Sequence, residues 1–537
     1  MIMSEESLQR KVFSGLFWKF GERIGAQLVS FIVRIVLARL LSPSDFGVIV
    51  LITVFIDIAN VFVSSGFGSA LIQKKEADQL DFSSVFYFSI VMSWIFYAIV
   101  FLGAPLVASF YGKDILCPIL RVLALKIPLA GVNSVQQAYV QKKMLFKRFF
   151  FSTLIGTAGS AVVGIVMAYM GFGPWALVAQ YLFNSTLDTL ILWFTVKWRP
   201  IWAFSGKRMK ELFSFGWKML CSELIHTSYG QIRSLIIGKV YTEKDLGFYN
   251  QGGNMPRLVV TNINSSVTSV LFPAMSMKQD DLKKMKEVVR LSIRISSYVM
   301  WPLMIGLMVM SAPVVSLIYS DKWLPCVPFM QIACLQYALE PVQTANVQAV
   351  KALGKGRTYL IMEIVKKVFG IAMILLVMYR GVMAIAWTAF IVTLFAAVVN
   401  STPNRKFLNY NYKEQLADLI PSILLASVMG VCVYFTGMIA LPTIVTVILQ
   451  VIVGAAVYIL LSILFRFSQF TYILQVLKNF TQSFRKGKKR RSRRACRTAR
   501  SNRQALLRGA TRSIRLFPRV FRKDILSFLR RLRVCAF

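Results

Sequence analysis

Acidic residues are scarce in this sequence, and histidine is almost absent. Its 537 residues include 23 Asp and Glu against 63 Lys and Arg, for a formal net charge of +40. His226 is the single histidine, which excludes a multi-histidine metal centre. Only 16% of the residues are charged, whereas soluble chains carry about a quarter. This shortage argues against both a disordered chain and a cytosolic enzyme.

Paired cysteines are also missing. The seven cysteines lie at positions 117, 221, 326, 334, 432, 496 and 535. Their number is odd and no Cys-x-x-Cys pair occurs, so neither a zinc site nor a disulfide framework is indicated. We expect no metal site and no cofactor, apart from a coupling ion that is either H⁺ or Na⁺.

Long apolar runs dominate the chain. Hydrophobic residues make up 56% of it, and the mean hydropathy is +0.60. Because about 20 apolar residues cross a bilayer, we predict an all-α polytopic membrane protein with about fourteen transmembrane helices. The predicted spans lie near 16–40, 46–72, 83–108, 116–140, 150–171, 173–196, 210–238, 253–276, 291–318, 325–350, 359–379, 382–402, 416–437 and 441–465.

The loop charges orient these spans. Lysine and arginine are enriched in cytoplasmic loops. The loops after even-numbered spans hold 22 of them, and the loops after odd-numbered spans hold six. The even loops are therefore predicted to be cytoplasmic, with both termini inside. Together with the family resemblance described below, this indicates a multi-pass protein of the bacterial inner (plasma) membrane.

The chain repeats itself with a period near 200 residues. Trp18 and Lys19 match Trp217 and Lys218 at an offset of 199. The stretch from Ala38 to Gly47 matches the stretch from Gly238 to Gly247 at an offset of 200. Six spans is an even number, so we predict two parallel six-helix repeats with a site between them.

These observations predict four regions along the chain. Residues 1–200 form an N-terminal six-helix lobe, and residues 201–408 form a C-terminal six-helix lobe. Residues 409–470 add two transmembrane helices outside the repeat. Residues 471–537 form a basic cytoplasmic tail.

Polar side chains follow one face of the first span and recur in the seventh. The first-span stripe is Lys19, Arg23, Gln27, Ser30 and Arg34, and the seventh-span stripe is Ser222, His226, Tyr229 and Arg233. Steps of three and four residues place each stripe on one helical face. Each Arg or Lys at the bilayer centre costs about 2.5–3.5 kcal/mol on insertion scales. The stripes are therefore predicted to face a wet cavity or a partner helix.

The second and eighth spans carry a matching pair of stripes. Asp57, Asn60 and Ser64 correspond to Asn262, Ser265 and Ser269 at an offset of 205. We predict a cationic central cavity lined by these four spans. Its predicted substrate-binding residues are Arg23, Gln27, Ser30, Arg34, His226, Tyr229, Arg233 and Arg257. Its predicted coupling or helix-pairing residues are Glu22, Asp57, Asn60, Glu223, Asn262 and Glu340.

Two interpretations of the stripes stay open. Arginine donates forked hydrogen bonds to phosphate and carboxylate oxygens, which suits an anionic substrate. Alternatively, the carboxylates of Glu22 or Asp57 pair with arginines and only fasten helices together.

Several motifs carry a resemblance to a known family. They are Leu41–Gly47 (LSPSDFG), Ser65–Lys74 (SGFGSALIQK), Gly171–Val178 (GFGPWALV), Asp245–Asn250 (DLGFYN) and Asp321–Pro325 (DKWLP). With these the chain resembles the Wzx-type polysaccharide flippases. More closely, it resembles the colanic-acid-exporter-like branch of the multidrug/oligosaccharidyl-lipid/polysaccharide exporter superfamily.

The resemblance implies a V-shaped, two-lobed bundle that works by alternating access. It implies transport of an undecaprenyl-diphosphate-linked glycan for a capsule, O-antigen or exopolysaccharide. The implied partners are membrane lipid, a polysaccharide polymerase and other assembly proteins. The related lipid II flippases use cavity arginines on their first helix, so Arg23 and Arg34 are the corresponding candidates here.

Two other functions are alternatives to this one. The first is an ion-coupled drug or metabolite antiporter of the same superfamily, which needs a carboxylate such as Asp57 or Glu340. The second is a membrane polysaccharide polymerase or glycosyltransferase. The second is disfavoured because the chain has no Asp-x-Asp motif, no P-loop and only short outer loops. We therefore expect a transporter and not an enzyme.

The segment 485–537 departs from the family pattern. It holds 16 Arg and four Lys against a single acid, Asp524. One interpretation is a polybasic arm on anionic lipid, with residues 514–534 as an interfacial helix. Another is an extension that is not under selection, arising from a shifted reading frame or an altered stop. Contact with nucleic acid is the least favoured, so we expect no nucleic-acid partner.

Overall fold

The computed structural model describes residues 25–64, 66–74, 76–276, 281–439 and 441–475, together with Gly21 and Lys478. Within these residues the secondary structure is helical and contains no strand, which confirms the all-α class. The helices are α1 (25–40), α2 (Pro43–Ser64), α3 (Phe67–Gln73), α4 (Gln79–Tyr111), α5 (Leu116–Leu123), α6 (Lys126–Lys142), α7 (Phe146–Tyr169), α8 (Pro174–Thr195), α9 (Gly206–Val240), α10 (Glu243–Ser276), α11 (Leu282–Val309), α12 (Ser311–Ile318), the 3-10 helix η1 (Asp321–Cys326), α13 (Val327–Ala338), α14 (Glu340–Ala352), α15 (Gly356–Val377), α16 (Val382–Leu408), α17 (Tyr412–Gly437), α18 (Thr443–Leu464) and α19 (468–475).

The chain divides into two compact units, Met1–Ile459 and Leu460–Phe537. The first unit holds the helices up to α17 and most of α18. The described part of the second unit is the end of α18 and α19. The Arg-rich segment 485–537 lies outside the described residues, so the interpretations of it stay predictions.

The predicted spans coincide with the helices. Where the structure describes them, each of the fourteen falls on one helix or on consecutive helices. Eight of the described segments are long and apolar enough to cross a membrane by length and composition. They are Pro43–Gln73, Gln79–Tyr111, Leu116–Lys142, Phe149–Tyr169, Leu282–Val309, Val382–Leu408, Tyr412–Gly437 and Thr443–Leu464. The polytopic membrane class is confirmed, and the count of fourteen stays a prediction.

The fourth and tenth predicted spans are broken at corresponding places. In the first repeat α5 ends at Leu123 and α6 begins at Lys126; in the second, α13 ends at Ala338 and α14 begins at Glu340. Pro128 and Pro341 lie in the first turns of the second half-helices. Proline is favourable there because the first N–H groups of a helix have no partner within it.

The repeat is visible in how α2 and α10 begin. The Ser42 hydroxyl donates to the Asp45 carboxylate at 2.7 Å, and the Thr242 hydroxyl donates to the Asp245 carboxylate at 2.6 Å. In each case the backbone N–H of the aspartate donates back to the hydroxyl oxygen. These reciprocal hydrogen bonds at the starts of two helices satisfy N–H groups that would otherwise lack partners.

The two equivalent helix starts also pack against each other. A Cβ added at Gly47 would overlap the carbonyl oxygen of Glu243, and one added at Gly247 would overlap the carbonyl oxygen of Pro43. The contact is reciprocal and joins residues related by the 200-residue offset. Glycine allows the two backbones to approach this closely because it has no side chain.

The first residues of α9 pack on the first repeat. The rings of Phe213 and Phe67 stack with their centroids 6.0 Å apart. Arg208 forms an ion pair with Asp78, the residue that precedes α4. This hydrogen bond from Arg208 lowers the pKa of Asp78 to about 2. Because α9 has 35 residues and a helix rises about 1.5 Å per residue, it extends for roughly 50 Å from this contact.

A buried carboxylate fastens α17 to α11. The Asp418 side chain is 1% exposed. It accepts hydrogen bonds from Arg290 Nε at 2.8 Å, from Arg294 Nε at 2.7 Å and from the Tyr410 hydroxyl at 2.8 Å. Several donors of this kind are what make a buried charge tolerable. The helices outside the repeat are thereby attached to the second repeat.

Candidate functional site

A partly open cavity next to one of the predicted stripes lies within the second repeat. Its volume is about 440 Å³, within the range of about 300–1,000 Å³ typical of small-molecule sites. Its walls come from α9, α10, α13 and α16. The polar and aromatic residues that line it are His226, Thr227, Gln231, Arg233, Ser234, Tyr249, Asn250, Arg257, Phe329, Gln336 and Tyr337.

Three of the predicted substrate-binding residues meet in this cavity. They are His226 and Arg233 on α9 and Arg257 on α10. Two of the three are arginines, and no carboxylate occurs among the described lining residues. The described lining of the cavity is therefore cationic, which favours an anionic ligand.

The two arginines differ in their surroundings. The Arg257 guanidinium donates to Asn254 Oδ1 at 2.6 Å, so one of its N–H groups is held by the protein. The Arg233 Nε atom is buried and has no hydrogen-bond partner among the described residues. The positive charges of Arg233 and Arg257 both interact electrostatically with the hydroxyl groups of Tyr249 and Tyr337. Since an unsatisfied buried donor costs about 1–3 kcal/mol, Arg233 is a donor suited to a ligand oxygen.

Small side chains leave the space open on the α16 side. Ala386 and Ala389 line the cavity there. Larger residues at these positions would fill it, since protein interiors are otherwise closely packed. The sequence did not indicate α16 or α13 as cavity walls, because neither helix carries a polar stripe.

The structure places Tyr229 elsewhere. Its hydroxyl packs against Gly370 of α15, at the point where a Cβ would otherwise lie. Tyr229 does not belong to the cavity lining and makes a helix-packing contact. The spacing of Tyr229 from His226 and Arg233 predicted the direction of its side chain only approximately. Residues that share one helical face point over a broad range of directions.

The first-repeat stripe is described only in part. Gln27 and Arg34 are half-buried and Ser30 is exposed on α1. The charge of Arg34 acts on the hydroxyl of Tyr319. Glu22 and Arg23, with Lys19, lie outside the described residues. The proposed binding roles of Arg23, Gln27, Ser30 and Arg34 stay predictions.

The remaining predicted polar residues are spread over three helices. Glu223 is exposed on α9. Asn262 is exposed on α10, and its amide donates to the carbonyl of Leu258 at 2.9 Å. Asn60 is half-buried on α2, and its carbonyl accepts from the Ser64 hydroxyl at 2.7 Å. These contacts lie within single helices, so they do not join the repeats.

Asp57 does join the repeats. Its Oδ2 accepts a hydrogen bond from Gln231 Nε2 at 3.3 Å, which connects α2 with α9. The charge of Lys126 also acts on Asp57. The Lys126 ammonium lies 5.2 Å from the centre of the Tyr181 ring, a cation–π distance. Asp57 thus connects a cation of the first repeat with the helix that lines the cavity.

Several partly buried charges were not singled out in the sequence. In the first repeat they are Lys126 and also Asp188, which accepts from Asn133 Nδ2 at 2.8 Å. In the second repeat Lys366 pairs with Glu363 at 2.6 Å and attracts Glu340. Each lies within a predicted span, and a charge inside a span is itself the signal that could have identified them.

Known proteins of similar sequence serve polysaccharide assembly. The chain is 24% identical over 440 residues to the teichuronic acid biosynthesis protein TuaB of Bacillus subtilis (strain 168), covering 80% of this chain and 89% of TuaB. It is 23% identical to the succinoglycan biosynthesis transport protein ExoT of Rhizobium meliloti (strain 1021), and the match covers 63% of this chain and 69% of ExoT. It is 24% identical to the lipopolysaccharide biosynthesis protein WzxC of Escherichia coli (strain K12), and the match covers 63% of this chain and 69% of WzxC.

Solved structures of similar fold are membrane transporters. The lipid II flippase MurJ in an inward closed conformation matches with a TM-score of 0.68 at 14% identity, covering 84% of this chain and 99% of MurJ. An inward-facing multidrug resistance MATE family transporter of the MOP superfamily matches with a TM-score of 0.57 at 16% identity, covering 72% and 94%. At these identities the likeness concerns the fold.

The fold therefore defines a polytopic α-helical membrane protein with the architecture of these transporters. A family model for polysaccharide biosynthesis proteins matches residues 36–328, which is more than half of the chain. The chain belongs to that family of polysaccharide biosynthesis proteins. The predicted resemblance to polysaccharide exporters is thereby confirmed.

Proposed function

We propose that this protein moves an undecaprenyl-diphosphate-linked glycan across the bacterial inner membrane for surface polysaccharide assembly. The observation that carries the proposal is the second-repeat cavity, in which Arg233 and Arg257 face no carboxylate among the lining residues that the structure describes. A diphosphate supplies several anionic oxygens, and arginine binds such oxygens with paired hydrogen bonds. Membership of the polysaccharide biosynthesis family and the names of the relatives support the same substrate class.

The cavity suits the head group of such a lipid. A volume of about 440 Å³ accommodates the charged diphosphate and its immediate neighbours, and the rest of the glycan would extend beyond it. Tyr249 and Tyr337 provide aromatic surface next to the arginines. The same cationic lining disfavours the rival antiporter function for cationic drugs.

The proposed orientation follows from the loop charges. Lysines and arginines concentrate in the loops after even-numbered spans, so these loops and both termini are proposed to be cytoplasmic. A polysaccharide polymerase and other assembly proteins are proposed as partners that consume the exported glycan. The protein is proposed to transport its substrate and to make or break no bond in it.

A strain lacking the gene tests this function. We expect lipid-linked glycan to accumulate on the cytoplasmic leaflet while the surface polysaccharide disappears. Restoring the wild-type gene reverses both changes. Unchanged surface polysaccharide without accumulation would contradict the proposal and favour the antiporter function.

Asp57 is the proposed carrier of the coupling ion, H⁺ or Na⁺. Among the candidate carboxylates that the structure describes, it is the one with a hydrogen bond between the repeats, accepted from Gln231 of α9 at 3.3 Å. Binding or release of a cation there changes the charge opposite Lys126 and the acceptor available to Gln231. Glu22, Glu223 and Glu340 are the other proposed candidates.

Replacing Asp57 with Asn is expected to abolish the response to an ion gradient. The amide keeps the size of the side chain but cannot exchange a cation. In proteoliposomes, we expect an imposed H⁺ or Na⁺ gradient to accelerate glycan transport by the parent and by Glu76→Gln, a variant in the exposed turn between α3 and α4. The Asp57→Asn variant should show the same slow rate with and without either gradient. Full acceleration in that variant would exclude Asp57 as the carrier.

A further inference from the structure

The motif at Asp321–Pro325 is not part of the cavity, yet it makes some of the most buried contacts in the protein. It forms η1 between α12 and α13. The Trp323 side chain is completely buried, at 0% exposure. Its Nε1 donates to the carbonyl of Ala38 at 2.7 Å, in the last turn of α1. A residue of the second repeat therefore caps a helix of the first.

Lys322 adds two hydrogen bonds to the same helix end. Its ammonium donates to the carbonyl of Arg39 at 2.7 Å and to that of Leu41 at 2.8 Å. The last carbonyls of a helix have no partner within it, and a cation is favourable beside them. Together, Trp323 and Lys322 of η1 donate three hydrogen bonds that hold the carboxyl end of α1.

The Trp323 ring lies between the two repeats. It meets Phe46 of α2 edge-to-face at a centroid distance of 5.3 Å and Phe248 of α10 at 6.0 Å. Both phenylalanines follow the capped helix starts at Asp45 and Asp245. The ring thus fills the space beside the contact of Gly47 with Glu243 and of Gly247 with Pro43.

Contacts between the repeats on this face run in both directions. Arg39 Nε donates to the carbonyl of Ile318 at 3.0 Å, at the end of α12. In the opposite sense, the Lys239 ammonium donates to the carbonyl of Phe110 at the end of α4. Lys113 forms an ion pair with Glu243 at 2.8 Å. The connection after α4 has no tryptophan, so the buried ring is supplied by the second repeat alone.

We call this region the clasp face and define it by residues 38–47, 110–114, 238–247 and 317–325. The loop charges place it on the outer side of the membrane. Apart from the contact of Trp323 with Phe248 inside the second repeat, every contact above joins one repeat to the other. An opening between the repeats on this side must therefore break them.

We propose that Trp323 and Lys322 form a latch that keeps the clasp face closed and that must release when the transporter opens outward. This role rests on the proposed transport function, since opening to the outside is a step of that function. The latch residues are positioning residues and do not touch the substrate. Loss of the latch is expected to raise the population of states that are open on the clasp face.

A reporter for this opening lies at Leu51. Its side chain is 1% exposed and packs where a Cβ at Gly238 of α9 would lie. Leu51→Cys, in a background lacking the seven native cysteines, therefore becomes reactive when the repeats separate. The probe is a membrane-impermeant maleimide added from outside the cells, and no substrate is needed.

We expect Trp323→Ala and Lys322→Met each to raise the labelling rate of the reporter roughly 5-fold or more, the lower end of typical coupling between two conformational states. Lys322→Met removes only hydrogen bonds and the charge, so it serves as the test if Trp323→Ala reduces folding. Lys322→Arg should restore slow labelling, and Trp323→Phe, which lacks the N–H group, should fall between. Trp387→Ala, which changes a tryptophan that is 42% exposed on α16, should label like the parent.

Parental labelling rates in both Trp323→Ala and Lys322→Met, with normal amounts of inserted protein, would overturn the latch. This readout does not depend on glycan transport. If the proposed substrate is wrong, the strain lacking the gene shows it without affecting the labelling result. Failure of one proposal can thus be distinguished from failure of the other.

Discussion

Arg233→Ala is expected to reduce glycan translocation roughly tenfold or more while leaving the amount of inserted protein unchanged. A hydrogen bond to a charged group contributes about 1.5–3 kcal/mol, and each 1.4 kcal/mol corresponds to a tenfold change. The buried Nε of Arg233 has no partner among the described residues. Its removal therefore costs binding without breaking a structural hydrogen bond at that atom.

Two further variants separate charge from geometry. Arg233→Lys keeps the positive charge but loses the planar fork, so it should recover only part of the activity. Arg380→Ala changes an exposed arginine between α15 and α16 and should behave like the parent. Surface polysaccharide production in a strain lacking the gene is the measurement. Full activity of Arg233→Ala would show that the cavity arginine is structural.

Gly47→Ala is expected to reduce glycan translocation by a comparable factor. It acts on the packing of two helices and not on substrate binding. The added methyl would overlap the Glu243 carbonyl oxygen, so α2 and α10 cannot keep their present separation. Overpacking of this kind costs about 1–3 kcal/mol, which corresponds to roughly a 5- to 150-fold shift between two states. The closed clasp face bears this strain and an open one does not.

The matched control is Gly103→Ala on α4. A Cβ at Gly103 would meet nothing within 4 Å, and alanine favours a helix over glycine by about 1 kcal/mol. We expect this variant to transport normally and Gly47→Ala to lose most transport. The labelling rate of a cysteine at position 51 should rise in Gly47→Ala alone. Equal transport by both variants would show that the close approach of α2 and α10 has no role in the cycle.

Much of the fold could be predicted because it depends on local patterns. Apolar runs gave the position of each span, and the 200-residue offset gave the equivalence of Gly47 with Gly247. These features are determined by a few neighbouring residues, so a single sequence contains them.

The arrangement of the site was less predictable because it depends on long-range contacts. Helical spacing predicted that His226 and Arg233 share one side of α9, where both line the cavity. It could not show that Tyr229 packs against Gly370, about 140 residues away. The cavity exists because Ala386 and Ala389 are small and face it from α16. Lys126 and Asp57 are 69 positions apart, and only the packing of α6 against α2 brings their charges together.

The cationic cavity is proposed to carry a diphosphate-linked glycan across the bilayer. The most direct measurement uses purified protein in sealed proteoliposomes that contain polyprenyl-diphosphate-linked glycan. An added glycosidase that cannot cross the membrane reports how much glycan is exposed outside. We predict that the glycan in the inner leaflet becomes accessible with the wild-type protein and stays protected with Arg233→Ala. If the inner-leaflet glycan is protected equally in vesicles with the wild-type protein and in empty vesicles, at matched ion gradients, the proposed transport is contradicted.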